Sequence, residues 1–129
     1  MGITKNDVEF LMYCKQKFHI DFTDTAMIGR QNLYLSNAEA EALLLDAGTN
    51  ANQVESIVAD WHSCCENNCY YGEPLLRWFG TESISSFDIS DYEGANCIWD
   101  LNQPLPEQYW NRYSLVLECG TLEHIFYLP

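Results

Sequence analysis

A chain of 129 residues, 47% hydrophobic and 14% aromatic, carries enough apolar side chain to bury one core of ordinary domain size, which excludes a disordered chain. Nineteen acidic residues stand against six basic ones, a formal charge of -13. That balance argues against nucleic acid as a direct partner, since phosphate binding rests on Lys and Arg.

Solubility through self-repulsion is the plain reading of the charge, with a basic partner or nucleic-acid mimicry as the alternative. No apolar run approaches the ~20 residues of a membrane span. The opening "MGITKNDVEF" lacks the charged-then-apolar pattern of a signal peptide. Asn6 also stands where a myristoylation signal after Gly2 wants Ser or Thr. A cytoplasmic protein with no membrane contact is expected.

In chain order, "NDVEFLMYCKQKFHI" spaces Val8, Leu11, Met12, Cys14 and Phe18 as on one face of an amphipathic helix, with Asn6 or Asp7 as its cap. "TDTAMIG" is a short apolar run, Ala26 to Ile28, closed by Gly29, and reads as a buried strand. "SNAEAEALLLDAG" is a helix capped by Ser36 or Asn37 and ended by Gly48. "NQVESIVADWHSCC" reads as a strand or an irregular segment. "GEPLLRWFG" is a short helix with Pro74 in its first turn and Gly80 after its end.

Cys64, Cys65 and Cys69 cluster near His62, whereas Cys14, Cys97 and Cys119 sit singly. Structural zinc sites come as spaced pairs such as C-x-x-C, and no second pair is present. Without a secretion signal a disulfide framework is not expected either. Reduced thiols and no metal are the expectation.

The second half reads more clearly. "ESISSFDIS" is a strand ending near Asp88, and "NCIWDLN" is one ending near Asp100. The "DYEGA" between them is too short for a crossover helix, and Asp91 is a turn residue. "LPEQYWNRY" is a short helix starting near Pro106, and "YSLVLECG" is a further apolar strand. Trp99 and Trp110 read as core, with a flat stacking surface for a ligand ring as the alternative. Strands apolar on both faces and separated by helices predict an α/β fold with an open, mostly parallel sheet and helices on both faces.

The segment "FDISDYEGANCIWDLNQPLPEQYWNRYSLVLECGTLEHIF" resembles the middle of class I S-adenosylmethionine-dependent methyltransferases. It is most similar to a branch with an aspartate-rich turn, a D-L-N-x-P-x-P segment and a G-T-L-E-H-x-F close. "AMIGRQNLYLS" resembles the first strand and turn of that branch. The likeness runs from about Asp24 to Phe126, with an insertion-like middle from Thr49 to Glu73.

The resemblance implies a Rossmann-like sheet in the order 3-2-1-4 and S-adenosylmethionine as cofactor. It places Gly29 at the end of strand 1, with Arg30 positioned for the cofactor carboxylate or an acidic neighbour. Asp88, after strand 2, would accept from both ribose hydroxyls, as a carboxylate can. Asp100 and the Leu101 amide would face the adenine edge, and Gly120 and Thr121 would border the methionine part. Glu123 and His124 are candidates for a proton-transfer role, with capping or packing as the alternative for His124.

Two departures accompany the likeness. The first turn, I-G-R-Q-N, has one glycine where G-x-G-x-G is common, a feature the resembling branch shares. The family's sheet has seven strands, so the resemblance implies a single domain over residues 1–129 cut after its fourth strand. Two functions follow as expectations: methyl transfer completed by another subunit, or an inactive fold remnant serving as a structural or interaction module. The edge of strand 4 and the tail residues Ile125, Phe126, Tyr127 and Leu128 are expected to be covered by a partner, most simply a second copy.

Overall fold

In the computed structural model, which describes residues 2–66 and 68–126, the chain divides into two compact units. One holds residues 2–20 and 32–75; the other holds residues 21–31 and 76–126. Tyr127 and Leu128 of the tail lie outside the described residues.

The first unit opens with strand β1 (Gly2–Thr4), paired in parallel with β3 (Asn32–Tyr34). Helix α1 (Lys5–Phe18) starts at Thr4 rather than at Asn6 or Asp7. Asp7 sits three residues into the helix, and its carboxylate accepts from the Thr4 amide (2.8 Å) and hydroxyl (2.6 Å). Asp7 therefore serves the cap reciprocally instead of being the cap. Val8, Leu11 and Met12 are buried, as their spacing predicts, whereas Cys14 is half-buried and Phe18, expected on the same face, is 60% exposed at the helix end.

Helix α2 (Asn37–Asp46) begins on the Ser36 cap, whose hydroxyl accepts from the Glu39 amide (3.3 Å), and Gly48 follows its end. Helix α3 (Ala51–Trp61) corrects the expectation of a strand or irregular segment. Asn50 caps it, and Val54, Val58 and Trp61 are buried. The β-branched Val54, Ile57 and Val58 favour a strand by composition, but with Trp61 their i, i+3, i+4, i+7 spacing is helical, and burial along that stripe decides. A two-residue hairpin, β4 (Cys65–Glu66) against β5 (Cys69–Tyr70), carries the cysteine cluster. Helix α4 (Glu73–Trp78) spans the division between the units, with Pro74 in its first turn.

The second unit is built on a four-stranded sheet in the order β7-β6-β2-β8, every pair parallel. Its strands are β2 (Asp24–Ile28), β6 (Ser83–Asp88), β7 (Cys97–Ile98) and β8 (Leu115–Glu118). In the order of their appearance within this sheet this is 3-2-1-4, as expected. Central β2 buries Thr25, Ala26 and Met27. The buried Thr25 hydroxyl donates to the Phe22 carbonyl (2.9 Å), so its polarity is satisfied.

β7 is shorter than the strand expected up to Asp100. Its backbone pairs only with Phe87 and Asp88. Ahead of it the Asn96 side chain accepts from the Ser86 amide (2.8 Å) and donates to the Ile84 carbonyl (2.9 Å). An amide side chain thus replaces two bonds of the ladder. Beyond β7 the chain turns at Asp100, whose carboxylate accepts from the Asn102 amide at 2.9 Å.

The expected helix near Pro106 is one 3-10 turn, Glu107–Tyr109, followed by Asn111 in the left-handed region. Trp110, read as core, is 59% exposed. Its indole N–H donates to the Leu105 carbonyl (2.8 Å), a bond within its own loop. A second 3-10 turn covers Leu122–His124. The two 3-10 turns and the end of α4 are the helical segments described in this unit.

Candidate functional site

Because the four strands run parallel, the polar residues that close them gather along one rim of the sheet. A cavity of about 220 Å³ opens there. Asp88 from the end of β6, Asp100 and Leu101 after β7, and Thr121 and His124 after β8 line it, with Trp99 along one wall.

The loop after β8 is fastened to the end of β2. The Thr121 hydroxyl donates to the Ile28 carbonyl (2.7 Å), and so does the Gln31 side-chain amide (2.5 Å). Gly29 has φ +74, and a Cβ there would stand 2.5 Å from the Thr121 hydroxyl oxygen. The space left by the missing side chain is thus taken by Thr121. The Glu118 carboxylate accepts from the amides of Thr121 and Leu122 (3.0 Å for Leu122). Burial pushes the Glu118 carboxyl up, but the backbone amides of Leu122, Thr121 and Gly120 together hold it below its usual range.

The other wall is ordered in the same manner. The Asn102 amide, and then its side chain (3.0 Å), hold the Asp100 carboxyl below its usual range. Asn102 in turn accepts from the Phe126 amide (2.8 Å), which lays the described end of the tail over the Asp100 turn. The Asp88 carboxylate has a long contact with the Ser90 amide (3.4 Å). Asp88 therefore brings hydrogen-bond acceptors to the cavity with little local competition.

Of the residues singled out in the sequence, Asp88, Asp100, Leu101, Thr121 and His124 come together in this cavity. Gly29 and Gly120, both with positive φ, are not among the residues that line it. Arg30 is buried and donates to the Glu93 carbonyl (2.7 Å), bracing the turn that Asp91 begins. Glu123 lies 3.6 Å from the His124 ring, and both side chains are 70% exposed. Asn102 and Glu118 were not assigned a site role from sequence. For Asn102 and Glu118 the signals were the D-x-N turn spacing and an acid three residues ahead of Thr121.

A second cavity, of about 330 Å³, lies on one face of the same sheet. The pairs Ala26–Val116 and Ile28–Phe87 floor it, with Leu105 and Tyr113 among its walls. It is almost wholly apolar. In the other unit, the His62 ring Nε2 lies 3.0 Å from the Leu35 carbonyl and its ring packs 4.5 Å from that of Tyr70. Among the described residues, no group of three or more His, Cys, Asp or Glu converges as a metal site. No helix among them is long and apolar enough to cross a membrane.

No family model matches the chain, and neither does any curated protein or solved structure.

Proposed function

We propose that this is a cytoplasmic, Rossmann-like protein that binds S-adenosylmethionine on the rim formed by Asp88, Asp100 and Thr121. The observation that carries the reading is one cavity lined by residues at the ends of β6, β7 and β8, parallel strands of one sheet, two of these residues being carboxylates. Support also comes from the order 3-2-1-4, the first part of the doubly wound dinucleotide order, in which ligands sit outside the carboxyl ends of the strands. The sequence resemblance supplies the choice of ligand.

The donor set suits an adenosine group. Asp88 offers two acceptor oxygens to a ribose diol. Asp100 and Leu101, which also line the cavity, would offer a carboxylate and a backbone amide to an adenine edge, and Trp99 a flat side. A volume of about 220 Å³ is below the roughly 300–1,000 Å³ of usual small-molecule pockets. The cavity would hold the adenosine part, leaving the methionine part toward Gly120 and Thr121.

When bound, the cofactor supplies an activated methyl group, so the chain's own task is to hold and orient. His124, which lines the cavity, and its exposed neighbour Glu123 would be the groups to take a proton from an acceptor. Methyl transfer would be completed with another subunit. The exposed outer edge of β8, where Val116 is 58% exposed, favours the second reading of an interaction module.

Calorimetric titration with adenosylhomocysteine and adenosylmethionine tests the proposal. Saturable binding that Asp88→Ala weakens supports it. No heat at millimolar ligand, with the fold intact by circular dichroism, refutes it.

A further inference from the structure

We propose that β8 pairs antiparallel with β8 of a second copy, about a two-fold axis through Val116. β8 is the outermost strand of the sheet, bonded on one side to β2. Among the described residues no strand pairs with its other side, whose backbone donors and acceptors an extended peptide would match. Val116 is 58% exposed in the middle of it.

The strand is complementary to itself. Turned about Val116, Leu115 falls opposite the second copy's Leu117, and Ser114 opposite the second copy's Glu118. Arg112 then stands diagonal to that Glu118, within reach of a long side chain. Each copy carries both halves of the pair, so the contact occurs twice. Two like carboxylates never meet across the seam. The one basic residue beside this edge therefore faces the one acid on the strand, in a chain otherwise dominated by negative charge.

Apolar surface flanks the seam as well. Val116, Leu105 and Tyr113 belong both to the cavity on the sheet face and to a neighbouring one that Trp110 lines. A strand laid along β8 would cover Val116 and bring Trp110, 59% exposed, against the second copy. Such flanking contact is needed, since four paired residues alone bury less than the roughly 800 Å² per partner of a stable interface.

The test is light scattering after gel filtration at physiological salt, where the Debye length is about 8 Å and net repulsion is screened. At tens of micromolar the wild type should show twice the 14.9 kDa chain mass. The Ser114 amide is bonded inward to the Asp24 carbonyl (2.9 Å), so the alternate amides of Leu115 and Leu117 face outward, and these should be protected from exchange. Val116→Lys, at an exposed position that tolerates it, should give monomer. Arg112→Glu should raise the dissociation constant about tenfold, since two cross-strand pairs become repulsive. A wild type that stays monomeric under these conditions overturns the proposal. So does a dimer whose mass Val116→Lys leaves unchanged.

Discussion

Gly29→Ala tests the clamp between the end of β2 and the loop after β8. Gly29 has φ +74, where an L side chain costs about 1–2 kcal/mol. The new Cβ would stand 2.5 Å from the Thr121 hydroxyl, closer than any real contact. Thr121 must therefore turn away, breaking its 2.7 Å bond to the Ile28 carbonyl, a loss of about 0.5–1.5 kcal/mol. The sum is a destabilisation of about 1.5–3.5 kcal/mol. Urea unfolding followed by tryptophan fluorescence reads it, because Trp99 and Trp110 both lie in the unit that carries the sheet. In a double-mutant cycle Thr121→Ala removes the clash and the hydroxyl together. The double variant should then be more stable than the sum of the single changes allows, by about 1 kcal/mol. Strict additivity would mean that Gly29 and Thr121 do not restrain each other, and the argument for a clamped loop would fall.

Asp88→Ala should weaken adenosylhomocysteine binding by about 1.5–3 kcal/mol, the range for hydrogen bonds to a charged group, and an unchanged titration curve would remove Asp88 from the site. Asn96→Ala should lower stability by about 1–2 kcal/mol through the two bonds it makes in place of the ladder, read as a shift in urea midpoint; a neutral result would show that water replaces them. The carboxyls of Asp100 and Glu118 are held below their usual values, so their stabilising contribution is complete above the ordinary range near pH 4 and is lost as pH falls through the lowered folded values. Glu118→Gln should therefore be less stable than wild type at pH 7 and converge with it near pH 2; parallel curves over that range would contradict the capping role.

What the sequence disclosed follows the reach of each interaction. β2, β6 and β8 were legible because each is a local apolar run closed by a polar residue, and their parallel order followed from the alternation of elements. Ser36 and Gly48 bracket α2 with local signals. α3 was obscured by its β-branched residues, although the stripe of Val54, Val58 and Trp61 was there to be counted. The truncation of β7 was not legible, because it depends on the Asn96 side chain bonding to a strand ten residues earlier. The site divides in the same way. Asp88, Asp100 and Thr121 stood out as strand ends. The engagement of Arg30 by Glu93 and the close approach of Thr121 to Gly29 arise only when distant segments fold together.

The side-chain amide of Asn96 has a consequence for aggregation. It occupies the Ser86 amide and the Ile84 carbonyl, the groups through which the β6 rim would otherwise recruit a strand. The two residues of β7 are too short to recruit one in their place. Among the described residues the sheet is blunted on that rim by Asn96 and open along β8. Fibrillar growth needs two sticky rims, one to join and one to be joined. With a single open rim, the first strand to dock on β8 also ends the series.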